Sequence, residues 1–222
     1  MLFSNTAMTR VGRLWMLLAL VFALPIIGGA RAEGLSGAAL LDALRAGGVT
    51  IYFRHAQTDW NQSDRAETAE HIASCAPERM RQLSPEGRET AKRVGAAIRA
   101  LGLPVTSVRS SPYCRARETA QLMNIGEVAP STDIMNLRSA DYFGGRDAVI
   151  LRIRRIFAEP VPAGEIAVIA AHGNLVRDAT GAYPGEAGSV VLRARADAPH
   201  GFEIVAQLTA EDWSGLARRR GR

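Results

Sequence analysis

The chain has 222 residues, 47% of them hydrophobic and 22% charged. That is enough for one substantial core, and it excludes collagen-like, low-complexity and disordered chains. The formal charge of +5 and pI near 9.8 would suit a polyanion-binding protein. Position argues otherwise: without Arg10, Arg13 and Arg31 the balance is 24 basic against 22 acidic residues, and four more arginines fall in the last five positions. The excess sits at the ends, so no nucleic-acid partner is expected.

Residues 1–13 are polar and carry two arginines, Leu14 to Ile27 is an apolar run of 14, and Ala30-Arg31-Ala32 ends the segment with small residues two positions apart. That order predicts a secretory signal over 1–32, followed by one domain over 33–222. The run is shorter than the roughly 20 residues a spanning helix needs, and Pro25 interrupts it, so no stable membrane insertion is expected after cleavage. The implied location is the periplasm or the cell exterior. An oxidising compartment favours pairing of the two cysteines, Cys75 and Cys114.

In the remaining chain, Ser36–Ala46 predicts a short amphipathic helix stopped by Gly47-Gly48. Val49–Phe53 reads as a buried strand. Residues 60–82 are polar and irregular, a surface excursion. Ser84-Pro85-Glu86 starts a helix with an N-cap, a proline and an acid in its first turn, and Gly102 and Pro104 end it. Val105–Arg109 is a strand and Arg115–Met123 a helix. Residues 125–145 read as loop, 147–157 as helix, Ile166–Ala171 as the most apolar strand and Asn174–Thr180 as a short helix. Ser189–Leu192 and Phe202–Leu208 are late strands, and 218–222 a frayed, solvated tail. Alternating strands and helices imply an α/β three-layer sandwich with a mostly parallel central sheet, with ligands beyond the carboxyl ends of its strands.

Two of the four histidines share one context. His55 and His172 each end a buried strand and precede a small residue, whereas His71 and His200 lie in polar sequence. Arg54 precedes the first. Arg115 opens a helix after the 105–109 strand, where free N–H groups suit anions. Arg54 and Arg115 together could fork one phosphate. Arg117 points elsewhere on its helix and reads as a surface ion pair.

Arg54-His55-Ala56-Gln57-Thr58-Asp59-Trp60-Asn61 resembles the RHG-x-T-x-x-N signature of the histidine phosphatase superfamily, which includes phosphoglycerate mutase-like proteins. Ser110-Ser111 through Arg115-Ala116 and Thr119-Ala120 resembles its second element, SSxxxRAxxTA. His172-Gly173-Asn174 resembles its last. The resemblance implies a phosphoglycerate mutase-like fold and a metal-independent phosphomonoester hydrolase with no cofactor, acting on a small phosphorylated substrate. It makes His55 the nucleophile that carries a phosphohistidine, and it gives Arg54, Arg115 and His172 the phosphoryl group. Thr58 and Asn61 would line the same pocket, with loops 62–82 and 125–145 as its walls.

Ala56 stands where the family has glycine, and the family's GxxEG loop, which supplies the general acid, is absent. Glu186 and Asp141 are the alternatives for that acid; the loop carrying Glu186 should return to the active end of the sheet. Hydrolysis is preferred to mutase chemistry. A non-catalytic phosphate- or sugar-phosphate-binding protein is the rival from another class. Cys75-x5-Arg81 also has the spacing of cysteine phosphatases, but no apolar strand precedes it. A Cys75–Cys114 disulfide would staple the excursion to the phosphate-binding turn.

Overall fold

In the computed structural model, residues 34–220 and Met1 are described. The expected signal over 1–32 lies outside them, Met1 apart. Six strands form one sheet in the order β3-β2-β4-β1-β5-β6. They are β1 (Val49–Arg54), β2 (Val105–Ser110), β3 (Val128–Pro130), β4 (Ile166–Ala171), β5 (Ser189–Ala194) and β6 (Phe202–Leu208). Pairings β3–β2, β2–β4 and β4–β1 are parallel, while β5 runs antiparallel to both β1 and β6. Five strands therefore point one way. The reversed strand, β5, delivers its preceding loop to the carboxyl end of β1, where Phe53 pairs with Ser189.

Alternation along the central strands builds two cores, one on each face. Tyr52, Ile169, Val190 and Leu192 pack against helices α4 (Arg146–Ala158) and α5 (Gly173–Thr180). Ile51, Phe53, Val168, Ala170 and Val191 face α1 (Gly37–Ala46), α2 (Pro85–Leu101) and a C-terminal helix. The helix α3 (Cys114–Met123) gives Ala116 to the first core and Ala120 and Met123 to the second. The expected three-layer arrangement is the one formed. Among the described residues, no helix is long and apolar enough to cross a membrane.

Local signals hold where the sequence has them. Ser84 Oγ accepts the Gly87 N–H at 3.0 Å, Pro85 takes the first turn of α2, and Gly102 closes it in the left-handed region (φ 64°). Two expectations change. The 125–145 stretch contains β3 and two 3-10 helices, Thr132–Ile134 and Leu137–Phe143; both are too short to leave a periodic pattern. The tail is not frayed as far as it is described: Ala210–Arg220 forms a helix, α6, whose apolar content is concentrated in two residues, Trp213 and Leu216.

Trp213 is fully buried. Its ring lies 5.8 Å from that of Phe53, and its Nε1–H donates to Ser189 Oγ at 3.1 Å. It thus braces the end of β1 and the start of β5, the two segments that flank the histidine at position 55. Trp213→Ala should lower unfolding stability by about 3–5 kcal/mol in urea titration, the range for deleting a fully buried aromatic. A loss under about 1 kcal/mol would show that α6 is dispensable packing.

Candidate active site

β1 and β4 lie side by side, so their carboxyl ends put His55 and His172 together. Arg54 pairs with Ala171, the His55 N–H bonds the Ala171 carbonyl at 2.9 Å, and the two rings lie 5.8 Å apart. His55 Nδ1 lies 2.9 Å from the Ala56 carbonyl. A carbonyl only accepts, so the proton is on Nδ1 and the lone pair on Nε2. His172 is fixed through its backbone, donating its N–H to the Tyr52 hydroxyl while that hydroxyl donates to the His172 carbonyl. Its Nε2 meets Ser111 Oγ at 2.8 Å, and its buried Nδ1 has no protein partner. Tyr183 and Arg54 pack closely on the Gly173 backbone: a Cβ there would lie 2.7 Å from the Tyr183 ring and 3.0 Å from Arg54 Cδ, so both side chains would have to shift.

Arg115 is 1% exposed and opens α3. Its Nη1 and Nη2 donate to the two oxygens of Asp64 at 2.8 and 3.0 Å, and Nη1 also reaches the Arg81 carbonyl at 3.4 Å. Of five guanidinium N–H donors, three are used. The Nε–H, which has no partner, and one Nη2–H remain on the opposite edge. Asp64 also accepts the Arg81 N–H at 3.1 Å, so one carboxylate holds both arginines. Burial would raise the Asp64 pKa, but the hydrogen bonds and charge of Arg115 outweigh it and hold the carboxyl below its ordinary value. Asp64 is an ionised anchor rather than a proton donor.

These groups line a cleft of about 350 Å³ with Arg54, Arg81, Arg138, Arg146, Arg177, Asn136, Asn174, Trp60 and Tyr183. Six arginines face one lining carboxylate, Asp64. The sequence balance placed the positive excess at the chain ends; the fold instead gathers six arginines from six separate segments. Arg81 stacks at 4.0 Å on Trp60, and Arg54 lies 5.1 Å from the Tyr183 ring. Burial, then the charges of Arg115, Arg54 and Arg81, push His55 down to about 3 against the Ala56 hydrogen bond. Burial first, then Arg115, holds His172 well below its ordinary value.

The structure brings Arg54, His55, Arg115 and His172 together and places Glu186 beside them. The loop before β5 is tied to the backbone around His55: Arg54 N–H bonds Gly188 O and Ala187 N–H bonds His55 O. Glu186 Oε1 lies 3.6 Å from Arg54 Nη2. Asp141, the alternative acid, is exposed; neither it nor Glu186 is among the lining residues, and among the described residues Glu186 is ion-paired to the cleft only through Arg54. Thr58 and Asn61 are not among the lining residues either. Thr58 is buried and pairs through its backbone with Leu83, while Asn61 is exposed in a turn whose N–H bonds Asp59. Ala56 faces away from the cleft, in a small cluster with Leu83, Ala91 and Ala187, while its N–H bonds Thr119 Oγ1.

Both expected wall loops do reach the cleft, the first through Asp64 and Arg81, the second through Asn136, Leu137 and Arg138. Cys75 and Cys114 are disulfide-bonded, which pins the first loop to the residue before Arg115 and removes Cys75 as a nucleophile. Arg117 makes no surface ion pair among the described residues; its Nη2 contacts the Ala73 carbonyl and Cys75 Sγ, holding the same loop. Asp64 and Arg81 were missed because they sit in aperiodic polar sequence, where only the return of the chain beside Gln57 and Asp59 makes them interior.

A pair of strand-end histidines with arginines around them makes a strongly cationic cleft on an α/β sandwich. Residues 51–142, which hold the first two motifs, match the family model of the histidine phosphatase superfamily (branch 1). The third motif, His172-Gly173-Asn174, lies outside the matched residues and is seated in the same cleft. Among solved structures, the mycobacterial glucosyl-3-phosphoglycerate phosphatase complexed with VO3 is 18% identical, with a TM-score of 0.51 over 73% of this chain and 100% of that one. Mycobacterial hydrolase 1 is 19% identical, with a TM-score of 0.50 over 73% and 98%. These likenesses concern the fold, which is phosphoglycerate mutase-like. No curated protein matches the sequence.

Two outcomes test the site's electrostatics. In ring-nitrogen NMR of the free protein, His55 and His172 should stay neutral from about pH 8 to about pH 5, below the ordinary histidine range near 6.5; a transition near 6.5 assigned to either by its Ala variant would contradict the site. Because the folded values lie below the unfolded one, the unfolded chain takes up these protons first. Stability should therefore fall as pH drops from about 6.5 toward about 3. Asp64→Ala leaves a buried guanidinium unpaired and should cost about 3–5 kcal/mol in denaturant titration, whereas a loss below about 1 kcal/mol would mean that Arg115 does not depend on it.

Proposed function

We propose that this protein is a phosphomonoester hydrolase that works through a phosphohistidine on His55. The observation that carries the reading is the tautomer: Nδ1–H is held by the Ala56 carbonyl, and Nε2 is left as the basic nitrogen of a buried, neutral imidazole among guanidiniums. Nε2 attacks phosphorus, the bond from phosphorus to the leaving oxygen breaks, and that oxygen takes a proton from the Glu186 carboxyl. Water then attacks the phosphohistidine and returns a proton to the Glu186 carboxylate; the P–N bond breaks, releasing phosphate and neutral His55.

Charge on the equatorial oxygens meets Arg54, the open edge of Arg115, and Arg81. The Ser111 hydroxyl can donate to His172 Nε2, which puts that ring's proton on Nδ1 as a further donor. No step calls for a metal, and among the described residues no three His, Cys, Asp or Glu side chains form a metal-holding group. We further propose export by the 1–32 segment. The Cys75–Cys114 disulfide supports an oxidising compartment.

The test is hydrolysis of p-nitrophenyl phosphate with excess chelator. Wild-type turnover should resist the chelator, and His55→Ala should lose about 10³-fold or more, as removal of a covalent nucleophile does. Glu186→Gln should slow alkyl phosphates, with their poor leaving groups, far more than the aryl ester. Turnover that survives in His55→Ala would move the chemistry elsewhere, and phosphate binding with no turnover in the wild type would make this a binding protein.

A further inference from the structure

We propose that the substrate carries a second anionic group, remote from the phosphoryl group that is transferred, and that Arg138, Arg146 and Arg177 at the mouth of the cleft receive it. The proposal rests on the hydrolase reading above and names the class of its substrate.

The arginines of the cleft fall into two sets by depth. Arg54, Arg81 and Arg115 are buried or half-buried, and they have two carboxylates among them, Asp64 and Glu186. With Glu186 carrying the proton it donates, two positive charges remain there, and a single phosphoryl dianion offsets both. Arg138, Arg146 and Arg177 are exposed and line the same cleft. Arg146 and Arg177 share one carboxylate, Asp178, which Arg146 meets through Nη2 and Arg177 through Nε at 3.1 Å. Among the described residues Arg138 makes no ion pair, and it stands close enough to Arg81 for the two charges to disfavour each other. Three guanidiniums against one carboxylate leave the mouth with positive charge that the transferred phosphoryl group, spent on the floor, does not offset.

The two sets are continuous. Tyr183 lies under both, with the Arg54 guanidinium 5.1 Å and that of Arg177 5.5 Å from its ring centre. A ligand anchored by its phosphoryl group at Arg54 therefore has cations within one ring's reach along its own length. Like charges crowded at the mouth of a cleft repel one another and do not stabilise the fold; their field draws in an anion. A phosphate or a carboxylate would each serve, since a guanidinium binds both bidentately.

The experiment is calorimetric titration of the protein with three non-hydrolysable ligands that share a four-carbon chain: butylphosphonate, 5-phosphonopentanoate and butane-1,4-bisphosphonate. At least one two-ended ligand should bind about tenfold or more tightly than butylphosphonate, a difference of about 1.4 kcal/mol; the one that gains more identifies the second group as carboxylate or phosphate. In Arg138→Gln/Arg177→Gln the advantage should shrink to about twofold, and in Arg138→Gln alone, a surface change that keeps every ion pair of the mouth, it should fall at least about threefold. Equal affinity for all three ligands overturns the proposal and leaves the hydrolase reading standing, as does an advantage that survives both variants. Failure of butylphosphonate and both longer ligands to bind would overturn the phosphoryl site itself.

Discussion

A guanidinium that is 1% exposed cannot sit alone in a protein, and the burial of Arg115 is the constraint around which the site is arranged. Asp64 meets it with both oxygens, and the same carboxylate accepts the Arg81 N–H. The buried ion pair thereby fixes the path of the excursion as well as the direction of one side chain. The disulfide from Cys75 to Cys114 and the contacts of Arg117 with Ala73 and Cys75 hold the same excursion from its other end. A long polar loop, which would otherwise be free to move, becomes a rigid wall carrying Trp60, Asp64 and Arg81. Neutralising Arg115 from one edge does not silence it, because a planar fork of five donors still has two on the other side.

How far the site was legible in the sequence follows from where each residue sits. His55 and His172 end apolar strands, and the parallel pairing of β1 with β4 brings strand ends together without further information. Arg54 and Arg115 follow from the same logic, one at a strand end and one at a helix start. Glu186 could be placed by topology, since a strand antiparallel to β1 must begin at its carboxyl end. The cationic wall could not. Arg81, Arg138, Arg146 and Arg177 come from an irregular loop, a 3-10 helix and two α-helices, and nothing in local spacing marks which surface arginines share a cleft. Thr58 and Asn61 show the converse: residues matched by motif are turned elsewhere by the backbone pairing of Thr58 with Leu83. The helix α6 was hidden because its hold on the sheet depends chiefly on Trp213 rather than on a repeating apolar face.

The arginines and the histidines are two halves of one electrostatic arrangement. A histidine in water is half protonated near pH 6.5 and has no lone pair to offer in that form. Burial beside Arg115, Arg54 and Arg81 makes a further positive charge costly, so His55 remains neutral and Nε2 remains basic. On the proposed mechanism, the cations that would bind a phosphoryl group also keep His55 unprotonated while the site is empty. Once a phosphoryl dianion enters, it offsets those charges and removes part of the bias against a cationic ring. On the same mechanism, that change would favour the bond from Nε2 to phosphorus, in which positive charge develops on the imidazole. A site built from neutral hydrogen-bond donors could bind the phosphate, but it would lack this coupling between occupancy and nucleophile charge. On this view the number of arginines in the cleft floor reflects the chemistry at His55 as well as affinity for the anion.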